Sequence, residues 1–316
     1  MKPYASFVPE KFDSFPVHQY LSTRFPYHTI EEWTDLILTG SVSINGNLAR
    51  ELQILTKGDE VSYLPKGSTH REPPINADFS ILYESDCFLV VNKPPNIPVH
   101  PAGRYRTHTL LNLLENERGI GTCYPVHRLD RETSGVMLFA KNKEYQLLLQ
   151  SLFETREVKK VYEVFVFGKL KDSVIAEGFI GRDSKSEIRK KQKFAKEFFD
   201  QSKVCFTEFQ NLGYDTEKDT SHLLAKPSTG RIHQIRATLY SLGFPVVGDK
   251  LYGKRESAFL DFVKLGESET LSIELGHNRQ ALHAKEISFF DPIAQKEFLF
   301  VAPLTKDLCH LSKAAD

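Results

Sequence analysis

The stretch that decides the fold is residues 126–140, VHRLDRETSGVMLFA, in which a charged half is followed by an apolar half. The apolar half, residues 135–140, has the composition of a buried strand. The charged half places Asp130 between Arg128 and Arg131. A salt bridge or a turn cap explains this arrangement as well as a reactive carboxylate does, because a neighbouring cation keeps a buried carboxylate ionised in each case. Alone, the stretch predicts a strand after a charged turn and leaves the role of Asp130 open.

A second informative stretch is residues 227–253, PSTGRIHQIRATLYSLGFPVVGDKLYG. Apolar residues recur at helical spacing from Ile232 through Ile235 and Leu239 to Leu242, which predicts the buried face of a helix. Gly230 is predicted to begin that helix, whose N-terminal amides would favour an anion. The plain alternative is that its charged residues are ordinary polar positions of a helix.

The rest of the chain adds strands and helices in mixed order. Apolar runs predict two strands around a polar turn in residues 80–92, and further strands at 161–167, 204–209, 221–225 and 287–290. Helical periodicity covers residues 110–117 and 143–153. No repeat of fixed period is visible. These patterns predict an α+β domain with many strands over residues 75–303, followed by a tail at 304–316.

Residues 13–64 read as a separate small module. Two helical faces are followed by a strand, an Asn45-Gly46 hairpin turn and a second strand that ends near Leu64. Residues 1–12 are predicted to be a loose arm, and the Pro-rich residues 65–74 a linker.

Composition narrows the class of protein. The 316 residues include 41 basic and 41 acidic ones, so the global charge gives no support to a nucleic-acid partner. Four cysteines without a CxxC pair argue against a structural zinc site or disulfides and favour a reducing cytoplasm. No apolar run is long enough to span a membrane, and no signal-peptide pattern opens the chain. Residues 185–203 carry seven basic and three acidic side chains, which predicts either a solvated loop or one that touches RNA.

Four runs occur together in one order: NKPPNIPVHPAGRYRTHTLLNLL (92–114), HRLDRETSGVMLFAKN (127–142), KKVYEVFVFG (159–168) and GRIHQIRATLYSLGFPVVGDKLYG (230–253). This combination resembles the RluA-type pseudouridine synthase family over about residues 80–303. The resemblance implies a large mixed, mainly antiparallel sheet with flanking helices and a central RNA-binding cleft. It implies isomerisation of uridine to pseudouridine in structured RNA, ribosomal RNA being favoured over transfer RNA. It implies a monomer that needs no metal or other cofactor.

The resemblance also implies residue roles. Asp130 takes the position of the catalytic carboxylate, and Arg128 that of the side chain that fills the space left by a flipped nucleotide. Tyr162 takes the position of the ring that packs under the base and can act on a ribose proton. Arg231 takes the position of the arginine that pairs with the carboxylate, and Leu282 is expected to line the pocket.

Further contacts with RNA are expected from Arg236 and from Lys190 and Lys191 in the basic loop. The chain departs from the family at Ala237, where histidine is usual, and we interpret that change as minor. His283 is expected to be structural rather than catalytic.

The small module resembles the RNA-binding domain first seen in ribosomal protein S-four, through the segment ILTGSVSINGNLARELQILTKGDEVSY. It departs in charge: from Glu10 to Tyr63 there are four basic and eight acidic residues, which opposes phosphate binding. A packing or docking module is the alternative.

Two other functions compete with isomerisation. One is an RNA-binding protein of the same fold that lacks activity. The other is a hydrolase that uses Asp130 with His127 or His233, but the GxSxG pattern of a nucleophile elbow is missing.

Overall fold

The computed structural model describes residues 3–25, 28–64, 72–103 and 105–312. It divides into two compact units, Met1–Pro74 with Ala102–Thr107, and Ile75–Pro101 with His108–Asp316. The predicted linker lies mostly at residues 65–71, outside the described residues. In the described part no helix is long and apolar enough to cross a membrane.

The small unit follows the predicted order of helix, helix, strand, turn and strand. Its elements are β1 (Tyr4–Phe7), α1 (Val17–Arg24), α2 (Ile30–Leu38), β2 (Val42–Ile44), β3 (Asn47–Leu48) and β4 (Glu60–Tyr63). The side chain of Thr29 and that of Glu32 form a capping box that begins α2. Trp33 is fully buried in the core of this unit. The prediction of a loose arm at 1–12 is wrong, because β1 pairs antiparallel with β4.

The large unit contains the predicted strands and helices, extended at most ends. Its elements up to the basic loop are β5 (Ser80–Glu84), β6 (Phe88–Lys93), α3 (Leu110–Asn112), β7 (Tyr124–Pro125), β8 (Ser134–Ala140), α4 (Lys143–Glu154), β9 (Lys159–Phe167) and β10 (Val174–Arg182). The later elements are β11 (Gln192–Ala195), β12 (Lys203–Asp215), β13 (Thr220–Pro227), α5 (Gln234–Ser241), α6 (Ser257–Leu265), α7 (Glu269–Leu275), β14 (Leu282–Asp291), β15 (Lys296–Val301) and α8 (Lys306–Cys309).

These strands form one mixed, mainly antiparallel sheet, as predicted. Along the sheet the order is β11-β10-β12-β13-β9-β14-β8-β6-β5, with β15 paired to β14 and β7 to β8. The pairing of β14 with β8 is parallel, whereas β14 runs antiparallel to β9. The late strand β14 therefore lies between two strands that precede it by more than 100 residues.

Gly135 makes the parallel contact between β8 and β14 possible. Its φ is +110°, and a Cβ at this position would clash with the backbone of Ala284. Only glycine adopts this conformation and also leaves room for the neighbouring strand. The close approach places the turn before β8 next to the first residue of β14, Leu282.

Residues 304–312, predicted to be part of a C-terminal tail, belong to the packed structure instead. Leu308 of α8 is fully buried with Phe165, Val247 and Ala281. The guanidinium of Arg279 holds Asp307 through its Nε at 2.6 Å. Burial of Leu308 and this ion pair explain why the segment is ordered against the large unit.

Candidate active site

A cavity of about 480 Å³ opens in the large unit between the predicted motifs. Its wall comprises the turn before β8, the end of α4, the start of β9, the loop from β13 into α5, and the first residue of β14. Asp130, Arg128, Tyr162, Arg231 and Leu282 all line it. The resemblance thus selected residues from four separate segments that fold around one space.

Asp130 is held by an arginine that is itself clamped. Nη1 of Arg236 donates to Oδ2 of Asp130 at 2.7 Å. The same guanidinium donates from Nε and Nη2 to the two carboxylate oxygens of Asp249, at 2.6 and 2.8 Å. Asp249 is fully buried and also accepts from the amides of Leu251 and Tyr252. This arrangement is bidentate and rigid, so the carboxylate of Asp130 has a fixed direction.

The environment keeps Asp130 ionised. Burial opposes the charge, but the Arg236 guanidinium, with a smaller effect of His233, lowers the pKa of Asp130 to about 2. Its Oδ2 takes the Arg236 bond and a long contact of 3.5 Å from Gln280 Nε2. Among the described residues, Oδ1 has only His233 Nε2 near it, at 3.9 Å. One carboxylate oxygen is therefore left facing the cavity without a hydrogen-bond donor.

The apolar side of the cavity is formed by Tyr162 and Leu282. Tyr162 on β9 packs against two apolar clusters, one that contains Leu282 and one that contains Leu129 and Ala284. Burial, reinforced by the charge of Asp130, raises the pKa of the Tyr162 hydroxyl, so it stays protonated at neutral pH. A flat ring beside an aliphatic side chain suits the two faces of a planar, uncharged ring.

Comparisons with known proteins identify the family of this chain. Residues 87–241 match the RNA pseudouridylate synthase family. The chain is 32% identical over 302 residues to a ribosomal large subunit pseudouridine synthase D of Xylella fastidiosa, covering 93% of this chain and 87% of that protein. The chain belongs to the RNA pseudouridylate synthase family.

Two further comparisons give another sequence relative and a solved structure. A mitochondrial tRNA pseudouridine(32) synthase of Saccharomyces cerevisiae is 30% identical over 265 residues, covering 80% of this chain and 54% of that protein. The solved structure of human RNA pseudouridylate synthase domain containing 1 superposes with a TM-score of 0.57 at 26% identity, over 76% of this chain and 96% of that one. The chain is thus an RNA pseudouridine synthase that isomerises uridine in RNA, with the α+β fold of its relatives.

The predicted partner of Asp130 was the wrong arginine. Arg231 is exposed, and its Nε donates to the Val204 carbonyl oxygen at 3.2 Å. The reason is that α5 begins at Gln234 rather than at Gly230, after His233 in a left-handed conformation with φ of 55°. Arg236 consequently points at Asp130. It is buried and forms two ion pairs, so the prediction that it contacts RNA does not hold. Ile232, predicted on the buried face, precedes the helix and is 62% exposed.

The two lysines predicted to contact RNA differ in position. Lys190 is exposed, with its Nζ 4.0 Å above the Phe259 ring. Lys191 is only 2% exposed, and its Nζ lies 3.4 Å from Glu256 Oε2 and 4.6 Å from the Tyr240 ring centre. Burial and this ion pair leave Lys191 unavailable for RNA, so that prediction does not hold.

Arg128, by contrast, is exposed at the rim of the cavity. Its charge adds to burial in lowering the pKa of His100. An exposed guanidinium at the rim is placed to reach a nucleic acid that approaches the cavity.

Lys93 was missed by sequence reasoning. It is fully buried, and its Nζ donates to the carbonyl oxygens of Pro94 (2.9 Å), Arg131 (3.0 Å) and Thr133 (2.7 Å). These bonds fasten the turn that carries Asp130 onto the end of β6. The only signal was the position of Lys93 in the NKPP run, and a lysine beside prolines gives no indication of burial.

His127, one of the two histidines that the hydrolase alternative would pair with Asp130, is engaged elsewhere, and so is His283. His127 Nε2 accepts from the Leu138 amide at 3.0 Å, and burial, with a smaller effect of Lys160, lowers its pKa to about 3. His283 is fully buried between Ser134 Oγ and the Ala302 carbonyl oxygen, in agreement with a structural role. Neither is placed to take a proton for Asp130.

The contacts of His233 favour one tautomer of its neutral ring, the one with hydrogen on Nε2. Tyr252 Oη accepts from the Gln192 amide at 2.9 Å, so its own proton is available for His233 Nδ1 at 3.0 Å. Burial lowers the pKa of His233 to about 4, and the neutral ring then carries its proton on Nε2, which faces Asp130 Oδ1.

Proposed function

We propose that this enzyme acts on ribosomal RNA of the large subunit. The support is that a relative named for that substrate matches along 93% of this chain, a share too large to leave out the small unit. Transfer RNA is the second candidate, because a yeast relative is named for it, although that match covers 54% of the relative.

The substrate can be tested by mapping pseudouridines in total RNA from cells with and without the gene. We expect loss of modification at positions in large-subunit ribosomal RNA, restored by the wild-type gene but not by one encoding Asp130→Asn. Loss confined to transfer RNA would overturn the ribosomal assignment while leaving the isomerase activity intact.

We propose that Asp130 is the catalytic residue. The observation that carries this role is an ionised carboxylate with one oxygen facing the cavity and the other locked to Arg236. Isomerisation breaks the bond between uracil N1 and ribose C1′, turns the base, and joins C5 to C1′. The C5 proton leaves and N1 gains one, so atoms and electrons balance without an oxidant.

Two roles are open to the free oxygen of Asp130: attack at C1′, or removal of a proton from C2′. Deuterium at C2′ of the target uridine separates them. A primary isotope effect on the single-turnover rate indicates proton removal, and an unchanged rate indicates attack at C1′.

We propose that Tyr162 and Leu282 hold the detached base between them and that Arg128 occupies the gap in the RNA stack. Flipping the nucleotide costs a few kcal/mol, which a stacking ring and a guanidinium offset in part. Tyr162→Phe should keep partial activity, because stacking does not need the hydroxyl. Complete loss with unchanged RNA affinity would instead assign the hydroxyl to proton transfer.

We also propose that the small module at 13–64 has the fold of the S-four RNA-binding domain and that the enzyme works as a cytoplasmic monomer. The module's excess of acidic residues supports a weak contribution to RNA affinity. Light scattering on the purified chain tests the monomer, and a mass twice that of the 36.1 kDa chain would refute it.

A further inference from the structure

We propose that Lys160 binds a phosphate of the RNA backbone beside the target uridine. This inference rests on the proposed site, in which Tyr162 holds the flipped base. It adds a positioning residue for the nucleotide to the same cavity.

The first observation is that the Lys160 ammonium has few partners. Its Nζ has three N–H donors, and among the described residues it has one acceptor, the Thr229 carbonyl oxygen at 3.4 Å. No described carboxylate oxygen lies within 4.0 Å of it, although the side chain lines the cavity. A partly buried cation without an anion is unusual unless a ligand supplies the charge.

The second observation is the position of Lys160 along β9. It stands two residues before Tyr162, so both side chains leave the strand on the same face, about 7 Å apart along it. The backbone phosphates of a nucleotide lie beyond its ribose, away from the base. When the base stacks on Tyr162, an adjoining phosphate can lie either toward Lys160 or away from it. The charges of the side chains that line the cavity favour one of these two directions.

The lining of the cavity as a whole favours an anion. The described lining residues include five cationic side chains (Arg128, Arg156, Lys160, Arg231 and Arg236) against two carboxylates, Asp130 and Glu154. Gly230 also lines the cavity, and its amide has no acceptor among the described residues. Three hydrogen-bond donors are available here: Lys160, the Gly230 amide and Arg231. Water could accept their hydrogen bonds but could not neutralise their positive charge, whereas the oxygens of a phosphodiester do both.

The same geometry makes the contact sensitive to pH. Burial lowers the pKa of Lys160 to about 8 in the free protein. The other titratable or charged side chains that line the cavity are His127, Arg128, Asp130, Glu154, Arg156, Tyr162, Arg231, His233 and Arg236. The pKa of His233 is lowered to about 4, and that of Tyr162 is raised, so neither changes its charge near pH 8. His127 is already neutral, and carboxylates and guanidiniums do not ordinarily titrate between pH 8 and 10. A phosphate binds only the ammonium form, so RNA affinity should fall as the pH rises above 8.

The first experiment compares Lys160→Gln with Lys159→Gln. Lys159 is the exposed neighbour whose side chain leaves β9 on the other face, so its removal changes the net charge equally. Substrate is total RNA from cells lacking the gene, and conversion is followed in single-turnover reactions at whichever uridines the wild type modifies. We expect Lys160→Gln to raise the half-saturating concentration about 10-fold with little change in the maximal rate, and Lys159→Gln to stay within about 2-fold.

Lys160→Arg provides the rescue. It should bind RNA nearly as the wild type does at pH 7.5 and lose the weakening above pH 8, because a guanidinium stays charged. Thermal unfolding of all three variants checks that the fold is retained. If Lys160→Gln behaves like Lys159→Gln, or lowers only the maximal rate, the phosphate contact is refuted.

The second experiment identifies the atom that Lys160 contacts. Short RNAs around a mapped uridine carry an uncharged methylphosphonate at the linkage 5′ or 3′ to it. At one linkage the wild type should lose about 10-fold in affinity, and Lys160→Gln should lose nothing further. If the loss of affinity from the methylphosphonate and the loss from Lys160→Gln multiply at both linkages, the proposal is overturned. The uridines mapped in these reactions report on the ribosomal assignment separately, since the comparison of variants is valid at any modified site.

Discussion

Two carboxylates with a pKa of about 2 lie near opposite faces of strand β9. On one face is Asp130, beside Tyr162; on the other is Glu163, which bonds His222 Nε2 and Lys285 Nζ, both at 2.8 Å. In both cases burial opposes the charge, and it is overcome by the Arg236 guanidinium at Asp130 and by hydrogen bonds from His222 and Lys285 at Glu163. A low pKa therefore does not distinguish a reactive carboxylate from a structural one.

The difference lies in the second oxygen. Both oxygens of Glu163 are bonded, and its side chain is 9% exposed. Asp130 has one oxygen bonded to Arg236 and the other facing a cavity, with 27% of the side chain exposed. A carboxylate with both oxygens hydrogen-bonded to side chains is held in the structure, whereas an ionised carboxylate with an open oxygen can react.

The strongest test of this comparison is the pair Asp130→Asn and Glu163→Gln. Asp130→Asn should reduce the single-turnover rate of pseudouridine formation by at least about 1,000-fold, because an amide is neither a nucleophile nor a base. RNA affinity should remain within a few-fold. Glu163→Gln should keep activity within a few-fold, since its face is remote from the cavity. Comparable loss in both variants would show that charge near β9, rather than the open oxygen, supports catalysis.

The second test contrasts two arginines of one motif. Arg236→Gln leaves Asp249 buried without its cation, which should lower the free energy of unfolding by about 3–5 kcal/mol. It should also raise the pKa of Asp130. Arg231→Gln removes an exposed side chain and should change stability by less than about 0.5 kcal/mol. Chemical denaturation measures both, and an equal loss of stability in the two variants would contradict the assignment of Arg236.

This contrast also shows how far sequence could predict the site. Apolar runs predicted most strands, because alternation and buried composition are local signals, and the four motifs predicted which segments surround the cavity. The choice between Arg231 and Arg236 depends on a helix start shifted by the left-handed His233 and on a contact across 106 residues. Neither leaves a periodic trace in the chain.

Lysine burial was equally beyond prediction from sequence. The basic run around Lys191 gave a correct net charge but no indication that Glu256 would neutralise this member. Lys93 is buried because three carbonyl oxygens converge on it from two segments. Such convergence is a property of the folded chain, whereas composition reports only on average exposure.

Acid unfolding provides a third test, of smaller size. Both carboxylates have a folded pKa of about 2, below the ordinary values of 3.8 and 4.5. The stability that each contributes is therefore fully present above about pH 5 and is lost as the pH falls toward 2. Removing Glu163 by the Gln substitution should flatten the decline in stability between pH 5 and 3, by about 2 kcal/mol. An unchanged pH profile would show that His222 and Lys285 do not act on it.

Because Asp130 stays ionised above pH 3, no loss of activity between pH 5 and 8 should come from its protonation.

The smallest expected effect concerns the ring that faces the open oxygen. Tyr252→Phe removes the proton donated to His233 Nδ1, so the imidazole is no longer held as the tautomer with hydrogen on Nε2. In the wild type, nitrogen NMR should show a protonated Nε2 and an unprotonated Nδ1, and the variant a mixture of both forms. A ring that turns its unprotonated nitrogen toward Asp130 repels the carboxylate, and we expect the maximal rate to fall about 3- to 10-fold with unchanged RNA affinity.

A single unchanged tautomer in Tyr252→Phe would mean that the left-handed backbone at His233, rather than the Tyr252 hydroxyl, orients the ring toward Asp130. The open oxygen would then owe its surroundings to backbone geometry alone, whereas both oxygens of Glu163 are held by side chains.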